Sequence, residues 1–272
     1  LIRKVAFLFC ILFSLNCFAQ PKRIVSVAPS FTETLYALGL GPNIIGTTTF
    51  CDYPPEALKT EKIGDILNPN IEKIIRLKPD LVVLGAWKWQ VPEKLRKAGI
   101  QVLEMKDAEN LQDSLKRILI LGQKVGKQKE AETLVAEMKQ RIQEIRNRSV
   151  AHQQKKVYIE LDVGQWTVGG TSYLNQVTEI VGLQNIFHDR KEPYLMVTME
   201  SILAKDPDVI LSLNRTKKEY QEMGNWQAAR CVREGKIIDK DSIAWNAITH
   251  QSPRMLDGII TLEKRVREVF GR

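Results

Sequence analysis

Two glutamates occupy matched places in the chain, and their spacing is the first sign of chemistry. Glu72 lies in IEKIIRLKPDLVVL (71–84) and Glu200 in MESILAKDPDVILS (199–212). In both segments a proline follows seven residues after the glutamate, then an aspartate and an apolar run, and the copies sit 128 positions apart. Asn70 and Thr198 precede the segments and are helix-capping types, so each glutamate falls in a first helical turn. There a carboxylate gains roughly 0.3–1 kcal/mol from the helix dipole. Two such carboxylates, one per half, would also suit a basic partner that is itself two-fold symmetric. Both readings stand.

Acid–base and metal chemistry has few candidates. The chain holds three histidines. His152, in SVAHQQKK, reads as a solvated charge at a helix exit, and His188 follows NIF in a polar turn. His250, in ITHQSPR, falls in a loop after the last expected strand and is the candidate for a ligand or acid–base role. Asp162 and Asp241 are candidate loop acids. No GxSxG, P-loop or HExxH pattern occurs, and VGGTS (168–172) resembles a piece of a phosphate loop without its lysine. Cys51 and Cys231 belong to no CxxC pair or His/Cys cluster, which argues against zinc. They lie in opposite halves and are expected to be separate buried thiols. No catalytic residue, resident metal or cofactor is expected.

The first residues need a different reading. Arg3 and Lys4 precede the apolar run Val5–Leu15, and NCFAQ offers Ala19 as a small residue before a cut. This pattern predicts a secretory signal peptide over 1–19, with the mature chain starting at Gln20. The run is shorter than the ~20 apolar residues that a membrane span needs. Cys17 invites a lipoprotein reading, but the bulky, polar Asn16 stands where lipidation signals carry a small residue. Without Arg3 and Lys4, 38 basic residues face 32 acidic ones, leaving +6. The charges are interspersed, as in KKEYQE, so no basic stripe for nucleic acid emerges.

The elements that must position these residues alternate. Apolar runs at 24–27, 44–47, 81–85 and 100–105 (IQVLEM) are separated by helical patterns: the stretch after Pro29 that ends at Gly39, residues 71–78, and PEKLRKAG. Ser30 or Thr32 is the expected cap of the first helix. A parallel sheet with crossover helices follows from this alternation. Ala131, Leu134, Val135, Met138, Ile142 and Ile145 then recur at helical spacing, predicting one helix over 127–149, roughly 33 Å long at ~1.5 Å per residue. A second alternation has strand 157–161, a helix near 173–181, a turn at GLQNIF, the second repeat copy and strand 236–239. GLQNIF echoes GLGPNII (39–45). The expected fold is α/β: two similar lobes with mainly parallel sheets (20–125 and 151–272) joined by a long helix (126–150), with a ligand cleft between the lobes.

Ligands of open parallel sheets sit beyond the carboxyl ends of the strands. The loops expected there hold Trp87, Trp89, Trp166 and Trp245, with Phe50, Tyr53, Tyr194 and the Asn246 that follows Trp245. Only Trp226 of the five tryptophans lies elsewhere. Such rings give broad, flat contact surface for a large ligand.

RIVSVAPSFTETLYALG, FCDYPPEA, IEKIIRLKPDLVV, GLQNIF and SPRMLDGI, in this order over nearly the whole mature chain, resemble the periplasmic binding proteins of cobalamin and ferric-siderophore importers. The DYPPEA region is most similar to the cobalamin-binding members. The resemblance implies two lobes bridged by a long helix, little hinge motion, and docking onto an ABC permease. It implies that Glu72 and Glu200 meet permease arginines. It puts Phe50 where cobalamin binders have a tyrosine at the corrinoid, matches Tyr194 to a cleft tryptophan, and sets Trp245 in the cleft loop before SPR. Ile66 replaces a cleft tryptophan, and the disulfide cysteines of the cobalamin binders have no counterparts.

The function expected from these readings is a monomeric, periplasmic, non-enzymatic protein delivering a corrinoid to an ABC permease and its ATPase. Its ligand-binding residues would be Phe50, Trp87, Trp166, Tyr194, Trp245 and Asn246, with the metal brought by the ligand. The alternatives are a ferric siderophore, which would want cleft arginines such as Arg254, and haem, with Tyr53 or His250 as axial ligand. A cofactor-processing enzyme on the same scaffold is the alternative from a different class.

Overall fold

Strands covered by helices on both faces carry no polar side, so they read as short unbroken apolar runs. The computed structural model describes residues 20–86, 90–149 and 155–271, and the runs take that form. The first lobe comprises β1 (Ile24–Ser26), α1 (Pro29–Ala37), β2 (Ile44–Thr47), α2 (Ile71–Arg76), β3 (Leu81–Gly85), α3 (Val91–Lys97) and β4 (Gln101–Met105). Its sheet is parallel, in the order β2-β1-β3-β4. Two helices follow, α4 (Leu111–Lys124) and the 22-residue α5 (Gln128–Ser149). The first 19 residues, with the expected cleavage site, lie outside the described residues, as do Trp87, Trp89 and His152.

The second lobe has β5 (Lys155–Glu160), β6 (Trp166–Val168), α6 (Tyr173–Ile180), β7 (Leu183–Asn185), β8 (Tyr194–Met196), α7 (Met199–Lys205) and β9 (Val209–Ser212). It continues with α8 (Lys217–Glu222), α9 (Arg230–Arg233), β10 (Ile237–Ile238), α10 (Trp245–Thr249) and α11 (Met255–Phe270). Its parallel sheet runs β7-β5-β9-β10, the order of the first sheet strand for strand.

The duplication extends to backbone detail. Asn70 Oδ1 accepts the Lys73 N–H at 2.8 Å, and 128 positions later Thr198 Oγ1 accepts the Ser201 N–H at 3.2 Å. Lys78 and Asp206 then leave their helices in left-handed conformation, at φ 48° and 44°. Each proline follows directly and stops the helix, and the strand begins two residues on.

Alternate residues of the strands face opposite ways. Ile24, Leu81, Val83, Val157, Ile159, Val209 and Leu211 share one apolar core with α4, α5 and α11. Val25, Val82 and Leu84 build a separate cluster on the outer side of the first sheet, and Tyr158 and Ile210 pack with Trp226 outside the second. The inner faces of both sheets therefore close on a single core. Large rotation of one lobe against the other would open it.

Three local expectations need correction. Neither Ser30 nor Thr32 caps α1: Pro29 takes the first helical position, so Ala28 is the capping residue. The Thr32 hydroxyl instead turns back to Ser26 Oγ at 2.8 Å. GLQNIF contains β7, an edge strand, and is more than a turn. Trp166 and Tyr194 lie on the antiparallel pair β6–β8, not in loops. The glycines of VGGTS are explained by packing: a Cβ on Gly170 would stand 2.0 Å from the His188 carbonyl oxygen, and one on Gly169 2.1 Å from that of Glu192. Cys51 and Cys231 are free and buried, as expected.

Candidate functional site

In each sheet the chain leaves the first strand to one side and returns to the other, so β1/β3 and β5/β9 are switch points where a crevice opens. A cavity of about 810 Å³ lies there, lined from both lobes. That is within the ~300–1,000 Å³ usual for small-ligand sites. The first lobe supplies the start of α1 (Ala28–Phe31), Phe50 after β2, Ile66, Asp107, Glu109 and Arg117. The second supplies Thr171 and Ser172 before α6, Tyr194 on β8, Thr249 at the end of α10, and His250 and Gln251 after it.

Phe50 and Tyr194 are 58% and 56% exposed, one from each lobe. Both keep a ring surface that a ligand can cover. Trp166 is 42% exposed on β6, paired with Met196, and is not among the lining residues. Trp245 does not line the cavity either: its indole packs on the core and donates to the Asp239 carbonyl at 3.2 Å. Asn246 is exposed beside it, also off the lining. Asp162 accepts from the Asn214 side chain at 3.0 Å, and neither it nor Asp241 lines the cleft.

Arg117, on α4, is the cleft cation that sequence reasoning missed. Its guanidinium donates to Ser30 Oγ at 3.2 Å and lies 5.0 Å from the Phe31 ring centroid. Burial lowers its pKa, and the charge of Asp107 works in the other direction. On an amphipathic helix a single arginine reads as a surface charge, so no sequence signal marked it. Arg254, the arginine expected near the ligand, sits behind the cleft. It stacks on the Tyr53 ring at 3.8 Å and helps line a smaller cavity with Tyr53 and Glu33.

The polar link between the lobes centres on Glu33, buried on α1. It meets His250 Nδ1 at 2.8 Å and Arg254 Nη1 at 3.5 Å, and accepts from Ser252 Oγ. Leu111 N–H, at the start of α4, donates to Gln176 Oε1 of α6 at 2.8 Å, a second link.

Glu72 and Glu200 are both exposed, away from the cavity, on the first turns of α2 and α7. Bonds from its own backbone N–H and from Thr198 hold the Glu200 carboxyl below the usual range.

Residues 24–244 match the family model described as periplasmic binding protein. An uncharacterised ABC transporter substrate-binding lipoprotein, YvrC, of Bacillus subtilis is 32% identical over 91% of this chain and 80% of its own length. The vitamin B12-binding protein of Vibrio cholerae is 30% identical over 88% of this chain and 86% of its own. Among solved structures, a possible iron-binding, periplasmic solute-binding protein from Staphylococcus epidermidis superposes with a TM-score of 0.79. It is 28% identical, over 91% of this chain and 99% of that one.

Proposed function

The chain belongs to the periplasmic binding protein family, and from that premise we propose that it binds a corrinoid and hands it to an ABC importer. The observation that carries the reading is the cleft: two half-exposed aromatic rings at its walls and almost balanced charge within it. A large ligand gains about 25 cal/mol for each Å² of apolar surface that such rings cover. The resemblance to a vitamin B12-binding protein supports the ligand class.

Charge separates this reading from the siderophore alternative. Asp107 and Glu109 face one guanidinium, Arg117, in the lining. A polyanionic ferric chelate would enter a cleft with more carboxylates than cations, whereas a cobalt corrinoid brings a metal-centred positive charge. One observation favours a second reading, an iron porphyrin: His250 lines the cleft and offers a ligand for iron. The metal in either case arrives with the cargo, and the protein acts as a carrier, not an enzyme.

The protein works outside the cytoplasmic membrane in this reading, exported with cleavage near Ala19 and without lipid. Among the described residues no helix is long and apolar enough to cross a membrane. The intact mass of exported protein tests this: a chain starting at Gln20 supports it, and a lipid on Cys17 overturns it.

Ligand choice is tested by mixing purified protein with cyanocobalamin, hemin or a ferric siderophore, desalting, and recording the absorption spectrum. Retention of cobalamin at one per chain is expected. Retention of the siderophore alone would discard the corrinoid reading.

A further inference from the structure

His250 and Glu33 come from opposite lobes, and their contact prepares an imidazole nitrogen that the carrier reading leaves unused. Glu33 is 4% exposed on α1, and its Oε1 lies 2.8 Å from His250 Nδ1. A carboxylate at that position favours the tautomer with the proton on Nδ1, leaving Nε2 as the lone-pair nitrogen. His250 lines the cleft with its side chain 19% exposed, and Nε2 has no hydrogen-bond partner among the described residues.

The backbone fixes the ring in place. His250 closes α10, its N–H donating to Asn246 O at 3.1 Å, and Gln251 follows at φ 53°. A residue with a long side chain rarely occupies this left-handed region, and such strain gathers where a site demands it. Ser252 and Arg254 hold the far side of Glu33, so the carboxylate cannot swing away without breaking contacts to both.

A carboxylate behind one imidazole nitrogen and an open site before the other is how proteins present histidine to a metal. Among the described residues no group of three or more His, Cys, Asp or Glu could hold a bare ion. A metal meeting His250 would therefore have to arrive already chelated, with one coordination position exchangeable.

We propose that His250 Nε2 becomes the axial ligand to the metal of the bound macrocycle, with Glu33 as the positioning residue behind it. The proposal rests on the reading of the cleft as a seat for a metal macrocycle. With an aquocobalt corrinoid the step is a ligand exchange. The cobalt–oxygen bond to water breaks, water leaves, and the Nε2 lone pair forms a cobalt–nitrogen bond. No electron changes hands, and the Nδ1 proton stays between His250 and Glu33. In a cyanide-capped cobalt the position that water vacates is held by cyanide, which imidazole does not displace, so the cleft would distinguish the two forms by coordination.

Aquocobalamin, cyanocobalamin and hemin, each mixed with the full chain, desalted and scanned, provide the test. Bound aquocobalamin should show its visible bands moved to those of an imidazole complex, while the bands of cyanocobalamin stay in place. His250→Gln should abolish the movement. Glu33→Gln should lower the preference for aquocobalamin over cyanocobalamin by roughly 10-fold or more, as for other partners behind metal-bound histidines. Should His250→Gln hold too little corrinoid to scan, wild-type chain labelled with nitrogen-15 histidine and loaded with aquocobalamin decides by nitrogen-15 NMR, because low-spin cobalt(III) is diamagnetic. Coordination moves the Nε2 resonance of one histidine away from its ligand-free position. Retained aquocobalamin with unmoved bands, or with unmoved histidine resonances, overturns the axial role and leaves the carrier reading intact. Hemin retained alone with imidazole-type bands supports the axial role and overturns the corrinoid; retention of none of the three overturns both.

Discussion

Asp80 and Asp208, 128 positions apart, make the same contact in the two lobes. Asp80 Oδ2 accepts the Lys22 and Arg23 N–H groups at 2.9 and 3.0 Å, ahead of β1. Asp208 Oδ2 accepts the Lys156 N–H of β5 at 2.9 Å. The basic side chain at each strand start reaches the end of the repeat helix in the same lobe: Arg23 to Leu77 O at 2.6 Å, Lys156 to Lys205 O at 3.1 Å. Each aspartate thus ties the repeat unit to the central strand of its sheet, which sets the switch point that the cleft exploits.

Acid should expose this contact. Burial acts to raise the Asp208 pKa, but the Lys156 N–H and Arg230 outweigh it and hold the carboxyl below its ordinary value. A depressed carboxylate stabilises the fold fully above the unfolded value of ~3.9, and the contribution is lost as pH falls through the folded value. Urea melts at about pH 7 and about pH 3 should show a smaller acid loss for Asp208→Asn than for wild type. Equal losses would remove Asp208 from the acid response.

A buried charge network should dominate the stability of the second lobe. Glu160, fully buried at the end of β5, takes Arg215, Ser212 Oγ at 3.1 Å and Tyr220 Oη at 2.5 Å. Burial and the charge of Glu160 push the Tyr220 phenol up, so it stays a donor. Glu160→Ala should cost about 3–5 kcal/mol in a urea melt, because Arg215 is left desolvated without its partner. Adding Arg215→Met should recover part of that loss. A single-variant loss below about 1 kcal/mol would mean that water replaces the carboxylate.

The architecture was legible because the repeat carries its own punctuation. Asn70, Pro79 and Asp80, with Thr198, Pro207 and Asp208, mark helix start, helix end and strand start in one short window. The α1 cap was misjudged although Pro29 marks the first helical position. The β6–β8 pair eluded the sequence because three-residue strands carry too little alternation to register. Glu33 and His250 are 217 residues apart, and only the shared core that joins the lobes brings them together. Trp245 looked like a cleft ring for its place in the chain, but α10 turns it onto the core.

Ring placement separates binding from folding. Phe50→Ala and Tyr194→Ala should each weaken corrinoid binding by ~1–3 kcal/mol, the range for contact-rich aromatics. Trp245→Ala should appear chiefly as a lower melting temperature, since it removes core packing and the bond to Asp239 O. Isothermal titration beside thermal melts checks all three. Wild-type affinity in both Phe50→Ala and Tyr194→Ala would move the ligand out of this cleft.

Glu72 and Glu200 should separate ligand binding from delivery. They occupy equivalent first turns in lobes of identical strand order, both exposed and both away from the cleft. A permease with its own two-fold could meet both with one kind of arginine contact, and truncating such a pair once desolvated costs ~2–5 kcal/mol. The competing role is local: Asn70 and Thr198 already cap the two helices, so the glutamates would add only a surface dipole contact of roughly 0.3–1 kcal/mol. The double variant Glu72→Arg, Glu200→Arg decides between them, assayed for melting temperature, ligand affinity and stimulation of its permease's ATPase. Docking predicts near-normal melting and affinity with stimulation abolished, because each reversed charge now faces a like charge across the interface. Full stimulation by the double variant would return both residues to ordinary first-turn acids. A single variant that loses all stimulation while the other keeps it would break the symmetry on which the docking geometry depends.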